Sequence, residues 1–254
     1  MIRNVCVVTG SSSGIGAATA RLFASQGWDV LVNDSRAAEP AEAVAVECRA
    51  LGADVLVVKA DVAQDADCHA LAAQARARWG RADELVNNAG TTKFASMKDL
   101  DALDAEDFHK IYAVNVVGVY QMTRAFAPLL RQHPGAAVVN VSSIASMLGT
   151  GSSIAYMASK GALNAMTVGL ARALGPHIRV NAIAPGLVET PWMQDGLGPG
   201  RYEATVESYK ARSVLGAVIA PVDVAQTAWY LGVHATKTTG EVLLVDAGLR
   251  LTRA

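Results

Sequence analysis

The chain has 254 residues, 22 Lys and Arg against 23 Asp and Glu, and is 52% hydrophobic but only 6% aromatic. This near-neutral balance excludes the electrostatic footprint of a protein that binds nucleic acid or an anionic membrane. No apolar run approaches the ~18 residues of a spanning helix. Met1–Asn4 reads straight into a strand without a signal-peptide pattern, and Cys6, Cys48 and Cys68 show no metal-ligand spacing. The expectation is a reduced, cytoplasmic protein with no metal site.

In chain order, a buried-type strand over Val5–Thr9 feeds the loop Thr9-Gly10-Ser11-Ser12-Ser13-Gly14-Ile15-Gly16, and a helix follows over Ile15–Gln26. Gly10 allows a tight turn, Gly14 a close approach of backbone to phosphate, and Gly16 close packing of helix on strand. The helix N-terminus then faces a pyrophosphate. The next strand, Asp29–Asn33, runs into Asp34, Ser35 and Arg36. An acidic residue roughly 20 positions past a glycine loop accepts from the ribose 2′-hydroxyl of NAD and repels the 2′-phosphate of NADP. Arg36 is placed to meet that phosphate instead, so NAD is the favoured cofactor and NADP the alternative.

Further strands over Val55–Lys59, Glu84–Asn87, Ala137–Val141, Arg179–Ile183 and Glu241–Val245 alternate with helices over Ala41–Leu51, Asp65–Trp79, Ala105–Leu130 and Ala155–Leu174. Strands separated by helices of this length require parallel crossovers. The pattern predicts one α/β domain over residues 1–254, a Rossmann-type doubly wound sheet of seven parallel strands. One segment departs from it. Pro185–Pro199 is rich in Pro and Gly and precedes the polar, amphipathic Tyr202–Arg212. Because it follows a strand, where ligands of open sheets bind, it reads as a flexible lid over about residues 187–213.

Tyr156 and Lys160 stand at (i, i+4) on one predicted helix, so their side chains share a face. An ammonium beside a phenol stabilises the phenolate, making an acid/base device that needs neither histidine nor metal. The five histidines (69, 109, 133, 177, 234) are scattered and form no ligand cluster. The same helix continues through Ala162–Ala171 with almost no polar face, which predicts cover by the sheet on one side and by another subunit on the other.

Together these motifs resemble the short-chain dehydrogenase/reductase family over essentially the full chain. The resemblance rests on Thr9–Gly16, Asn87-Asn88-Ala89-Gly90, Asn115, Ser143, Tyr156 with Lys160, and Pro185-Gly186. Val245-Asp246-Ala247-Gly248 is similar to the family's closing Val-Asp-Gly-Gly turn, with Ala in place of one Gly. The resemblance implies hydride transfer between a nicotinamide and a small-molecule carbonyl or secondary alcohol, with Tyr156 as proton donor and acceptor. It implies that Lys160 lowers the phenol pKa and binds ribose, that Ser143 (with Ser142 turned to the other face) holds the substrate oxygen, and that Asn115 kinks its helix and holds a relay water. It further implies adenine contacts from Asp61 and Val62, ribose contact from Asn88 beside Ala89 and Gly90, carboxamide contacts from Val188 and Thr190 above Pro185-Gly186, and a homotetramer or homodimer. Phe94, Met147, Leu148, Trp192 and Met193 are expected near the crevice. The substrate stays open between a 3-oxoacyl-carrier-protein, with NADPH, and a sugar, polyol or other secondary alcohol. A methyltransferase has no use for Tyr156, Lys160 and Ser143, and a non-catalytic nucleotide sensor would lack the Tyr or the Lys.

Overall fold

The computed structural model describes residues 3–36 and 38–251. Met1 and Ile2, expected to lead into the first strand, lie outside the described residues. Seven strands form one parallel sheet: β1 (Val5–Val8), β2 (Asp29–Asp34), β3 (Val55–Lys59), β4 (Glu84–Asn87), β5 (Ala137–Val141), β6 (Arg179–Pro185) and β7 (Val242–Val245). Their spatial order is β3-β2-β1-β4-β5-β6-β7, and every pairing is parallel. The order reverses between β1 and β4, which opens a crevice at the carboxyl ends of those two strands.

The inner strands are buried and mostly apolar because both faces are covered, yet the pleat still sorts their side chains. Cys6, Val8, Val30, Val32, Val86 and Val139 join one core layer. Val7, Leu31, Leu85 and Val138 join the other. The first layer packs under α1 (Gly14–Ser25), α2 (Ala38–Ala50) and α10 (Pro221–Trp229), and the second under α3 (Asp65–Trp79), α5 (Val119–Leu130) and α7 (Ile154–Leu174). Phe23 of α1 stacks edge-on against Trp28 and Trp229, with ring centroids 5.2 and 4.9 Å apart. This anchors α10 on α1. The three cysteines are free and buried, and no helix among the described residues is long and apolar enough to cross a membrane.

Two expectations about elements need correction, and helix α10 is additional. The helix expected over Ala105–Leu130 is α4 (Ala105–Tyr112), a π-helical turn (Ala113–Gly118) and then α5. The wider turn follows from tertiary demands. Asn115 is drawn to the Thr91 backbone, and a Cβ on Gly118 would come within 2.9 Å of Val62 Cγ2. The presumed lid is mostly helical, with α8 (Pro191–Leu197) and α9 (Arg201–Arg212) separated by Gly198–Gly200. Helix α10 was not foreseen, although Pro221 at its first turn and the Ala220 N–H donating to Asp223 Oδ2 at 2.8 Å mark its start.

At the opposite end of the sheet, Glu84 is fully buried and neither carboxyl oxygen has a hydrogen-bond partner. A Cβ on Gly232 would collide with that carboxyl group, so only glycine fits there. Burial pushes the Glu84 carboxyl well above the usual carboxylate range, and the nearby Arg179 only partly opposes this. A folded pKa above the unfolded one means that the stability contributed by Glu84 is complete at acid pH and declines as pH rises toward the folded value. Denaturant unfolding between pH 4 and 8 should therefore show Glu84→Gln gaining on the wild type as pH increases. A difference that stays constant over that range would mean that the carboxyl does not carry the raised pKa.

Candidate active site

The crevice is built at the strand ends from polar groups that hold one another. Gly10 and Gly14 take positive φ values, 59° and 53°, which glycine adopts without steric cost. The Gly10 N–H donates to Asn33 Oδ1 at 3.2 Å, while Asn33 Nδ2 reaches the carbonyls of Val58 and Ala60 at 3.1 and 3.0 Å. Asn88 Nδ2 donates to the carbonyls of Thr9 and Gly10 at 3.0 and 2.8 Å. The Thr9 hydroxyl accepts from the N–H groups of both Asn88 and Ala89, each at 3.0 Å. A Cβ on Gly16 would strike the Gly10 carbonyl and the Asn88 amide, so Gly16 serves loop closure more than the strand packing expected of it. A Cβ on Gly10 would meet Ala89 Cα at 2.9 Å, and one on Gly14 would meet Thr190 Cγ2 at 3.1 Å. These contacts hold the glycine loop as a cradle lined by backbone at the start of α1.

The other residues expected to meet the cofactor lie at the ends of the neighbouring strands and loops. Asp34 is nearly buried at the end of β2, with Oδ2 accepting from Ser12 Oγ and Oδ1 from the Arg36 N–H at 2.7 Å. Ser13, Ser35 and Arg36 are exposed at the mouth, and Ile15 packs on the first core layer. Asp61 is half-buried, and the Val62 carbonyl accepts from Gln121 Nε2 at 2.8 Å. Asn88 commits both side-chain N–H groups to the glycine loop, which leaves Oδ1 for any nucleotide. Gly90 lies beside Asn115 and Lys160, at 3.5 and 3.7 Å from where its Cβ would sit. Val188 pairs with Ile219, and Thr190 stands immediately before α8 without a side-chain capping bond. The Pro185 carbonyl accepts from the Ile144 N–H at 3.0 Å, tying the Pro-Gly turn to the loop that carries Ser143.

The four residues expected to be catalytic come from the loop after β5, from α7 and from the π turn. Helix α7 starts at Ser153, whose Oγ accepts from the Tyr156 N–H at 3.3 Å. Lys160 Nζ lies 5.6 Å from the centre of the Tyr156 ring and donates to the Val141 carbonyl at 2.7 Å. The Ser143 hydroxyl accepts from the Ala145 N–H at 3.1 Å and lies near enough to the phenol to favour its ionised form. Ser142 does turn away, donating to Asn164 Oδ1 at 2.6 Å, and Asn164 in turn donates to Ser146 Oγ at 2.8 Å. That chain clamps the Ser143 loop onto α7. Asn115 Nδ2 donates to the Thr91 carbonyl at 2.9 Å and to Ser159 Oγ at 3.0 Å, and Oδ1 accepts from the Thr91 N–H at 2.8 Å. The expected helix distortion at Asn115 is thus a π turn locked by its side chain.

The protonation picture differs from the expected one. Burial pushes the Tyr156 phenol up to about 12, and the nearby Ser143 hydroxyl offsets this only in part. Burial also pulls Lys160 down to about 8. In the chain by itself the ammonium is held by the Val141 carbonyl and desolvation dominates, so the depressed phenol pKa expected from the pair is not present.

Residues that sequence reading passed over complete the site. Asn33 and Asn164 act as clamps, and their only signal was polarity within apolar segments. Tyr209 of α9 donates to the Asp246 carbonyl at 2.7 Å, and a Cβ on Gly186 would collide with its hydroxyl. Ala247 takes φ 52°, the left-handed conformation that the Gly it replaces would hold without strain. Of the five apolar residues expected at the crevice, Met193 packs instead into the small core beneath α9.

A crevice of this geometry, on a doubly wound sheet with a Tyr–Lys pair on one helix, defines a dinucleotide-dependent oxidoreductase site. Comparison with known proteins gives the same class. A family model described as enoyl-(acyl carrier protein) reductase matches residues 10–250. A Streptomyces violaceoruber protein provisionally named granaticin polyketide synthase ketoacyl reductase 2 is 44% identical over 97% of this chain and 96% of its own. The 3-oxoacyl-[acyl-carrier-protein] reductase FabG of Thermotoga maritima is 34% identical over 96% of this chain and 97% of its own. A crystal structure from Burkholderia xenovorans, provisionally assigned as a short-chain dehydrogenase/reductase, superimposes with a TM-score of 0.90 at 44% identity over 99% of both chains. Proteins named L-fucose dehydrogenase and L-rhamnose 1-dehydrogenase are also among the relatives. The chain belongs to the short-chain dehydrogenase/reductase family and is an NAD(P)-dependent oxidoreductase.

Proposed function

We propose that this chain interconverts a ketone and a secondary alcohol with NAD as cofactor and Tyr156 as the proton carrier. The observation that carries the reading is Lys160 Nζ 5.6 Å from the centre of the Tyr156 ring on one helix, beside the loop that carries Ser143. The backbone cradle of Gly10–Gly16 fits a dinucleotide pyrophosphate. Asp34 would take the adenosine ribose hydroxyls with Ser35 and Arg36 beside it, Asp61 and Val62 would meet the adenine, and Val188 and Thr190 would hold the nicotinamide end. Bound there, NAD supplies hydride exchange with the substrate carbon.

The residues of this chain handle the proton. Ser143 holds the substrate oxygen and Tyr156 donates to it during reduction. A neutral phenol, kept protonated by burial, is ready for that direction. For alcohol oxidation the phenol must lose its proton, and the Lys160 ammonium, largely charged at neutral pH, stabilises the phenolate once it leaves the Val141 carbonyl for a ribose hydroxyl. Asn115 holds the turn behind them and carries the relay towards Lys160. A second reading, 3-oxoacyl-carrier-protein reduction with NADPH, is favoured by the 34% identical relative named as a 3-oxoacyl-[acyl-carrier-protein] reductase. The exposed Val117 and Tyr120 on one long helix and Val168 on the other support a homotetramer or homodimer through those faces. Its buried free cysteines suit the reducing cytoplasm.

Tyr156→Phe should lower kcat by at least roughly a hundredfold while leaving the Kd for NADH nearly unchanged. Retention of more than a tenth of the wild-type rate would remove the proton role. Fluorescence titration should find NADH bound more tightly than NADPH, and Asp34→Ala should narrow or reverse a gap of roughly ten- to a hundredfold. Equal affinities in both proteins would assign selectivity elsewhere. Light scattering should return a mass of two or four chains, and a monomer at micromolar concentration would refute the helix-face assembly.

A further inference from the structure

Above Tyr156 the aromatic surface continues onto two other segments. The Trp192 ring, on α8, lies 6.0 Å from the Tyr156 ring with 50° between planes. Phe94, from the stretch after β4, lies 5.8 Å from Trp192 at 59°. Aromatic rings at these separations attract each other beyond their area of contact. Both ends of this row are fastened. Thr190, immediately before α8, lies against Gly14 of the glycine loop, and a side chain on Gly196 would collide with the Phe94 ring, so glycine at 196 is what seats Phe94 beneath α8.

The row is nonetheless open. Trp192 is 42% exposed at its centre, and Met147 and Leu148, on the short helix α6 (Ala145–Leu148) following Ser143, are 45% and 37% exposed. The polar groups next to Phe94 are engaged with each other: Thr92 Oγ1 with Ser152 Oγ at 2.7 Å, and Lys93 Nζ with Asp107 Oδ2 at 2.6 Å. Apolar surface beside a proton donor, with the adjacent hydroxyl and ammonium already paired, suits a flat apolar substrate better than a polyol, whose hydroxyls need unpaired polar partners.

We propose that Phe94 and Trp192 are specificity-determining residues, forming a shelf that selects a ketone carried on or beside a flat, apolar ring system. The inference rests on Tyr156 as the proton donor. In the reduction the ketone carbon gains hydride from NADH, which becomes NAD+, and the ketone oxygen gains the Tyr156 proton, which solvent then replaces.

Two measurements test it. Calorimetry with 2-naphthol, a flat alcohol that cannot be oxidised to a ketone without losing aromaticity, is run on the full chain with and without NAD+. Trp192→Ala and Phe94→Ala should each raise its Kd by roughly tenfold or more and leave the Kd for NADH unchanged. Steady-state kinetics should show wild-type kcat/KM higher for 2-tetralone than for an aldose or a linear 3-oxoacyl thioester, and Trp192→Ala should lose that preference mainly through KM. Unchanged naphthol binding in both variants, or a wild-type preference for the aldose or thioester, would overturn the shelf and leave the proton role of Tyr156 standing. Tyr156→Phe at full rate on 2-tetralone, with naphthol binding still weakened by Trp192→Ala, would overturn the proton role and leave the shelf.

Discussion

The arrangement depends on how a parallel sheet ends. Where β1 and β4 part company, the backbone groups of the glycine loop lose their strand partners, and buried amides and carbonyls must be satisfied. Asn33 from β2 and Asn88 after β4 supply those partners from either side, with Thr9 completing the closure. The loop is therefore a fixed cradle before any nucleotide arrives. The absence of a Cβ at Gly16 is what allows the Gly10 carbonyl and the Asn88 amide to meet.

On the other side of the crevice the same logic positions the chemistry. Tyr156 is aimed by the start of α7, Ser143 by the clamp from Ser142 through Asn164 to Ser146, and Lys160 by the Val141 carbonyl. Each is held by a hydrogen bond to a rigid element, which is how a site keeps its geometry between turnovers. The electrostatics show a resting state. Desolvation keeps the phenol protonated and weakens the ammonium.

The lid region illustrates how a loop signal conceals order. Pro and Gly between Pro185 and Gly200 mark boundaries of α8 and α9 and not a structureless loop. The α9 half is pinned by Tyr209 against Gly186 and Asp246, while α8 is fastened through Thr190 and Phe94. That leaves Trp192 on a defined surface facing Tyr156. The turn after β7 makes the latch possible, and Ala247 adopts a left-handed conformation to complete it.

All seven strands, the glycine loop, Asp34 and the Tyr156–Lys160 spacing were legible from residues alone. Each rests on a local rule: apolar runs of strand length, glycine where no side chain fits, and two side chains one helical turn apart. The π turn at Asn115, helix α10, the clamps through Asn33, Asn88 and Asn164, and the Phe94–Trp192 row were decided only by tertiary structure. These depend on segments distant in the chain meeting across the sheet, and one strand or helix read alone carries no record of the neighbour that will satisfy its polar group or cover its ring. The pKa values belong to the same class, because desolvation is a property of the assembled site, whereas the spacing of Tyr156 and Lys160 could be read from one helix.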